Sequence, residues 1–369
     1  MSEVKELKMI VANNCYDFGR KVNNHINGIR KNKIDYIVPI DLVRFNNGEG
    51  KAVIKESIRD KDVYILSDVS NYNMSYNYYG RKHYMSPDEH FQDVKRILSA
   101  ECEHAHKRTI ILPYLYQSRQ DKRDSRESLD CAVALDELKN MGADEIITCD
   151  VHNRGVGNAV HNKAFESVKL GDILLYDLLE NEKITDFHKF VCISPDAGAM
   201  KRASFFSDML GYVDVGTFDK QRDYTKIVNG KNPIKSHRFV GPSDMEGKYA
   251  IVPDDMIASG GSMLDTVKSI KKLGVEKIFV VVTFALFTEG VDKFIELHEQ
   301  GILDRVYASN VNYVPEEVKN MEWFKSVDCS NKIANIINRL NYGNSIGDLL
   351  DGKTETAVKI KKLRRIYEK

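Results

Sequence analysis

Two adjacent carboxylates, Asp254 and Asp255, stand between an apolar run and a turn of small residues in the segment IVPDDMIASGGSM, Ile251 to Met263. Residue types in that order suit a phosphorylated, hydroxyl-rich ligand: carboxylates accept hydrogen bonds from hydroxyls, and a small-residue turn lets backbone N–H groups approach an anion. Tyr249 to Val252 predicts a short buried strand, with both Asp just past its carboxyl end, where open α/β sheets bind ligands. Gly260 and Gly261 permit close approach of the backbone. Ser262 is the expected N-cap with Asp265 three residues on, Met263, Val267 and Ile270 recur at helical spacing, and Gly274 suits the helix stop. A bare pair of Asp belongs more often to a solvated turn. The whole unit, strand then carboxylates then turn then capped helix, points to phosphate at a helix N-terminus.

The elements that must carry such a unit are legible around it. Apolar runs at Thr109 to Leu112, Glu145 to Cys149, Phe190 to Ile193 and Tyr249 to Val252 alternate with amphipathic stretches such as Cys131 to Met141, apolar at 131, 134, 135, 138 and 141. Strand and helix in alternation predict parallel α/β layers. A second strand–helix series begins after about Leu170, beyond the polar stretch Asn153 to Lys163, and a domain boundary is expected there. Tyr72 to Glu89 lacks a clear period and reads as an insertion or long loop. Lys353 to Lys369 reads as a basic helical tail packed on its own domain or a neighbouring subunit.

Composition narrows the classes. With 369 residues, 42% of them hydrophobic, the chain is long enough for about two domains, and 54 basic against 54 acidic side chains make no electrostatic case for nucleic acid. No long apolar run and no signal-like N-terminus are present, so a soluble, cytoplasmic protein without a membrane partner is expected. Six Cys scattered without a CxxC pair predict reduced, mostly buried thiols.

Five further segments stand in a telling order: RFNNGEG (Arg44 to Gly50), LPYLYQSRQDKRDSRES (Leu112 to Ser128), CDVHN (Cys149 to Asn153), ISPDAGAMKRA (Ile193 to Ala203) and DKQRDY (Asp219 to Tyr224). With the Asp254–Asp255 unit, which is similar to the ribose-phosphate loop of the phosphoribosyltransferase fold, the chain from Arg44 to about Glu289 resembles ribose-phosphate pyrophosphokinases. The resemblance implies an α/β fold of two similar phosphoribosyltransferase-type domains, each a mainly parallel sheet flanked by helices. It divides the chain into 1–168 with the ATP loops, 169–340 with the ribose-phosphate loop and a flexible catalytic flap, and a tail 341–369. The implied reaction moves the β,γ-diphosphoryl group of ATP to the 1-hydroxyl of ribose 5-phosphate, giving PRPP and AMP.

Site roles follow from the same resemblance. Lys220 and Arg222, in a polar stretch that suits a flap, become the catalytic cations meeting the transferring group. ATP falls to Phe45, Asn47 and Glu49, to Arg119, Gln120 and Asp121, and to His152, with Phe45 stacking on adenine and Glu49 accepting from its amine. His152 and Asp196 become ligands or associates of Mg²⁺. Ala197, Gly198 and Ala199 form the diphosphate turn, and Asp254, Asp255, Ala258, Ser259, Gly260, Gly261 and Ser262 bind ribose phosphate. In hexameric relatives the RFNNGEG loop reaches a neighbour's site, so a homo-oligomer of dimers assembling to a hexamer is implied.

Three positions depart from the family pattern. Asn47 and Pro253 replace commoner residues, and Ala258 stands where Asp is usual, beside the sugar. Two alternatives therefore stay open: a catalytically weak regulatory homologue, and a diphosphokinase for a larger ribose-phosphate acceptor.

Overall fold

A computed structural model gives the fold, describing residues 4–101, 104–123, 125–161, 164–184, 186–222, 234–352 and 355–367. The chain divides into two units: Met1–Leu170 with Asn310–Val314 and Asp328–Gly352, and Gly171–Ser309 with Pro315–Val327 and Lys353–Lys369.

The first unit opens with β1 (Leu7–Val11) and α1 (Tyr16–Arg30), then a hairpin of β2 (Ile40–Arg44) and β3 (Gly50–Ile54). After β4 (Asp62–Leu66) come a second hairpin, β5 (Ser75–Tyr78) with β6 (Arg81–Tyr84), and α2 (Pro87–Glu101). β7 (Lys107–Ile111), α3 (Asp130–Asn140), β8 (Glu145–Cys149) and β9 (Ala164–Val168) complete the series. Strands β1, β4, β7, β8 and β9 lie side by side in that order, all parallel. Every residue of β4 and β8 is buried, as inner strands of a parallel sheet covered on both faces must be, the polar Asp62, Glu145 and Thr148 included. Cys131, Ala134, Leu135 and Leu138 of α3 are the buried stripe expected from their spacing.

The second unit runs α4 (Gly171–Glu182), β10 (Phe190–Ser194), α5 (Met200–Leu210), β11 (Val215–Arg222), β12 (Ile234–Val240), β13 (Tyr249–Ile257) and α6 (Gly261–Lys271). It continues through β14 (Lys277–Ala285), α7 (Asp292–Glu299), β15 (Arg305–Ser309), α8 (Glu316–Lys319) and β16 (Phe324–Val327). Its seven strands lie in the order β12-β11-β10-β13-β14-β15-β16, with β12 antiparallel to β11 and the other pairs parallel. From β10 the chain steps one way to β11; from β13 it steps the other way to β14. The order therefore reverses between β10 and β13, which makes the crevice at their carboxyl ends the expected ligand position.

The chain then returns to the first unit with α9 (Ser330–Asn341), whose apolar face packs on α1, and with α10 (Gly347–Leu350). The sequence places residues 330–340 in the second domain. Packing overrides chain order here: Arg30 of α1 donates to Asn338 Oδ1 and Asn341 Oδ1, both at 2.7 Å. The last helix, α11 (Glu355–Tyr367), packs on α4 and α5 with Ile360 fully buried, so the basic tail is helical and lies on the second unit.

Two more readings change. Residues 72–89 are not a long loop but hold the β5–β6 hairpin and the start of α2. Lys220 and Arg222 belong to β11, which pairs Lys220 with His237 and Arg222 with Ile234 of β12, so the start of the expected flap is strand. Antiparallel pairing supplies the order that the polar sequence hides. Residues 223–233 of the expected flap lie outside the described residues. Five cysteines, Cys15, Cys131, Cys149, Cys192 and Cys329, are buried free thiols. Among the described residues no helix is long and apolar enough to cross a membrane.

Candidate active site

In the second unit the sugar-loop residues come together at the reversal between β10 and β13. β13 is longer than its sequence suggests, nine residues through Ile257, and both carboxylates lie inside it: Asp254 pairs in register with Val282 and Met256 with Phe284. Strand β14 holds the backbone of the pair extended on one side, whereas pairing with β10 ends at Ile251 and leaves the other side open. A Pro is tolerable at position 253 of such a strand where no ladder donor is required.

The side chains turn back on their own backbone. Asp254 Oδ1 accepts from Asp255 N–H at 2.8 Å, and Asp255 Oδ1 accepts from Met256 N–H at 2.9 Å. Asp255 is 3% exposed, and Asp254 is half-buried. Burial first, and the charge of Asp255 second, push the Asp254 carboxyl up to about 8. The opposing influence is Arg202, whose guanidinium lies 3.9 Å from Asp254 Oδ1 and 3.5 Å from Asp255 Oδ2. Arg202 sits in the first turn of α5, directly after the turn that follows β10, so one cation ties the two loops of the crevice. Its sequence context hides it, because MKRAS looks like the polar side of a helix; the adjacent cations Lys201 and Arg202, five and six residues past Asp196, are the available signal.

Past β13, Ala258 and Ser259 are half-buried and Gly261 and Ser262 exposed. The carbonyl of Ala258 accepts from Thr288 N–H at 2.9 Å, which pins the turn to the loop after β14. Helix α6 starts at Gly261, and its N-cap is Gly260 at φ +78, without a side-chain cap. Ser262 is thus the second helical residue, not the cap expected from its sequence. The left-handed conformation at Gly260 does the capping turn that a Ser would otherwise do, and aims an eleven-residue helix's N-terminus at the crevice. A Cβ at Gly260 would fall 2.7 Å from the ring of Phe294, which is 1% exposed and stacked on Trp323 at 5.6 Å. Gly260→Ala is therefore expected to lose about 2–4 kcal/mol of stability from strained φ and overpacking together. Denaturant unfolding checks this; a loss below about 1 kcal/mol would show that Phe294 yields.

After β10, Asp196 Oδ1 accepts from Gly198 N–H at 2.9 Å and Ala199 N–H at 3.2 Å, and Ser194 Oγ donates to the Asp196 carbonyl at 2.5 Å. Asp196, Ala197 and Gly198 are exposed while Ala199 is buried at the N-cap of α5. One carboxylate oxygen of Asp196 is thus spent on shaping the turn Ala197 to Ala199. Lys220 and Arg222 have backbone positions in β11, the strand next to β10, and their side chains lie outside the described residues.

In the first unit, Phe45 to Glu49 is the turn of the β2–β3 hairpin, closed by Phe45 N–H to Glu49 O at 2.8 Å and Gly48 N–H to Phe45 O at 2.9 Å. Phe45 is 47% exposed at the tip of this turn. Asn47 donates from Nδ2 to Glu49 Oε2 at 2.8 Å and accepts from Glu49 N–H at 3.2 Å. An Asp at 47 could not make the first bond, so Asn47 changes how Glu49 is presented as well as removing a charge. Arg119 is exposed; Gln120 donates from Nε2 to Ser128 O at 2.9 Å, closing the loop that also carries half-buried Asp121. His152 is exposed after β8, where Asp150, at φ +34, accepts from Leu170 N–H at 3.0 Å and shapes the loop. No cluster of three His, Cys, Asp or Glu able to hold a metal ion occurs among the described residues.

Comparison with known proteins agrees over most of the chain. Residues 7–142 match the N-terminal domain of ribose phosphate pyrophosphokinase, and residues 218–351 match the phosphoribosyl synthetase-associated domain. A ribose-phosphate pyrophosphokinase of Vibrio cholerae is 26% identical over 311 residues, 84% of this chain and 90% of that protein. Ribose-phosphate pyrophosphokinase 2 of Schizosaccharomyces pombe is 27% identical over 348 residues, covering 93% and 97%. The crystal structure of phosphoribosylpyrophosphate synthetase from Mycobacterium smegmatis superposes with a TM-score of 0.75 at 21% identity, over 92% of this chain and all of that one.

Proposed function

We propose, from the premise that this chain belongs to the ribose-phosphate pyrophosphokinase family, that it transfers the β,γ-diphosphoryl group of ATP to the 1-hydroxyl of ribose 5-phosphate. The observation that carries this reading is the carboxylate pair and the N-terminus of α6 together at the strand-order reversal between β10 and β13. Asp254 and Asp255 accept from the sugar's vicinal hydroxyls. The turn Ala258 to Ser262 receives the 5-phosphate on backbone N–H groups and the Ser259 and Ser262 hydroxyls. The turn Ala197 to Ala199 offers small residues against which a diphosphate can lie.

In the first unit, Phe45 stacks on adenine and Glu49 accepts from its amine, with Arg119, Gln120 and Asp121 on the nucleotide's phosphates and ribose and His152 beside its metal. Lys220 and Arg222 meet the transferring group, where fixed positive charge lowers the barrier more than ground-state binding. The transfer is dominated by positioning and charge neutralisation, so no strong base is required at position 258.

A divalent cation fits the donors present. Asp254, held protonated to about pH 8 by burial and by Asp255, marks a surplus of carboxylate that a hard cation relieves, and all-oxygen donors favour Mg²⁺. Mg²⁺ there and at Asp196, and separately the Mg²⁺ of the nucleotide at His152, would supply neutralisation of the phosphate charge. A cytoplasmic homo-oligomer, dimers assembling to a hexamer, completes the proposal.

The test is direct. Purified protein with ATP, Mg²⁺ and ribose 5-phosphate should release AMP and PRPP in equal amounts; ADP as the only nucleotide product would overturn the assignment. Ala258 motivates one added arm with 5-substituted ribose phosphates, since its small half-buried side chain brings no carboxylate to the sugar loop.

A further inference from the structure

The β5–β6 hairpin rests on the turn proposed to bind adenine. Its own turn is Tyr79-Gly80, at φ +46 and +76, the mirror-image two-residue turn that matches strand twist. Tyr79 N–H donates to Asn46 O at 2.8 Å, so hairpin and nucleotide turn share a backbone hydrogen bond. The ring of Tyr78 covers Gly48: a Cβ added there, at φ +90, would lie 3.0 Å from Tyr78 Cε2 and 3.4 Å from the Tyr76 hydroxyl.

The hairpin is itself anchored to α2. Glu89 accepts from the Tyr76 hydroxyl at 2.8 Å, meets His83 Nε2 at 2.9 Å and accepts from Ser86 N–H at 2.9 Å. Burial would raise the Glu89 carboxyl, but these three hydrogen bonds outweigh it and hold the group below its ordinary value, ionised. At the other end of the same loop Arg44, the last residue of β2, donates to Glu89 O at 3.1 Å and Asp93 Oδ2 at 2.7 Å, with its guanidinium 5.8 Å from the Tyr76 ring. Tyr76, Tyr78 and His83 pack edge to face or tilted, at 5.1 to 6.2 Å between centroids.

A five-residue turn protruding from a two-stranded hairpin would otherwise be held at its base alone. Here both the strand leading into it and its tip are tied to α2, one through Arg44 and one through the hairpin. The rigidity gained is of the turn that presents Phe45 and Glu49.

We propose that the hairpin Ser75–Tyr84 is a positioning element for the nucleotide-binding turn, with Tyr78 and Tyr76 the positioning residues that set affinity for the adenine nucleotide. This rests on the reading that Phe45 and Glu49 contact the base. Tyr78 acts by preorganisation: removing its ring lets Gly48, the residue with the greatest conformational freedom in the turn, leave the geometry that orders Phe45 and Glu49.

Calorimetric titration of Mg²⁺–ATP into wild type, Tyr78→Ala, Tyr78→Phe and Tyr76→Phe, paired with steady-state kinetics, tests it. Tyr78→Ala should raise the Kd for ATP about tenfold and the KM for ATP in step, with kcat and the KM for ribose 5-phosphate within about twofold. Tyr78→Phe keeps the ring and should bind like wild type; Tyr76→Phe, which loses only the hydroxyl held by Glu89, should weaken ATP about threefold. An unchanged Kd in Tyr78→Ala, with or without a lower Tm, would overturn the inference, as would equal losses for ATP and ribose 5-phosphate. Wild type that binds ATP but makes no AMP would instead defeat the proposed activity, while the four Kd values would still decide the hairpin's role.

Discussion

Lys220→Ala is expected to lower kcat by about a hundredfold or more while leaving the KM for ribose 5-phosphate within about threefold. Negative charge spreads over the equatorial oxygens of the diphosphoryl group only as it leaves its donor, so a cation placed there acts mainly in the transition state. One such fixed contact is worth on the order of 3 kcal/mol. The strand β11 carries Lys220 next to β10, beside the crevice where the order of strands reverses. Steady-state rates with ribose 5-phosphate varied at saturating ATP check the split. A raised KM with normal kcat would make Lys220 a residue that binds sugar and transition state equally.

Asp255→Asn should lower kcat/KM for ribose 5-phosphate by about a thousandfold, on the order of 4 kcal/mol, because a site built to accept from hydroxyls loses its charge and gains a misdirected N–H. The shape is kept, so the protein should remain folded. The variant also carries a pH signature. In wild type the pair accepts fully only once Asp254 ionises, and burial together with Asp255 holds that ionisation up to about 8. Binding of ribose 5-phosphate without Mg²⁺, which would otherwise relieve the pair, should therefore strengthen with pH to about 8 and level off. Asp255→Asn removes the neighbouring charge, so its rise should fall at lower pH; an identical profile in both proteins would sink the account of the pair.

Much of this was legible in residue types. Glu145 to Cys149 has the same limits in sequence and structure because Ile146, Ile147 and Cys149 supply the apolar run that a strand covered on both faces needs. β13 runs past its expected end because two Asp read as a loop, whereas β14 pairs with it as far as Ile257 and holds those residues extended. The β5–β6 hairpin was illegible for a related reason: its Tyr, Asn, Arg and His side chains carry no apolar alternation, and its stability comes from cross-strand aromatic contacts and from Glu89. Ser262 looks like a cap because residue types alone do not reveal that Gly260 takes the left-handed turn first. Arg202 was hidden in plain composition, since only the fold brings α5 against the end of β13.

The return of the chain to its first unit sets a timetable for biosynthesis. Asn341 of α9 donates to the Lys5 carbonyl at 3.0 Å and to Asp62 Oδ2 at 2.9 Å, closing on the edge of a sheet whose five strands have all emerged by residue 168. Until the ribosome has delivered α9, the face of α1 that it covers stays bare, and the whole run from β10 to β16 is made in that interval. Nascent chains of this protein thus carry an exposed apolar helix face through most of translation, a window in which chaperones or a second nascent chain can occupy it. A chain halted near residue 170 would keep that face permanently, and only supplying α9 in trans would be expected to cover it.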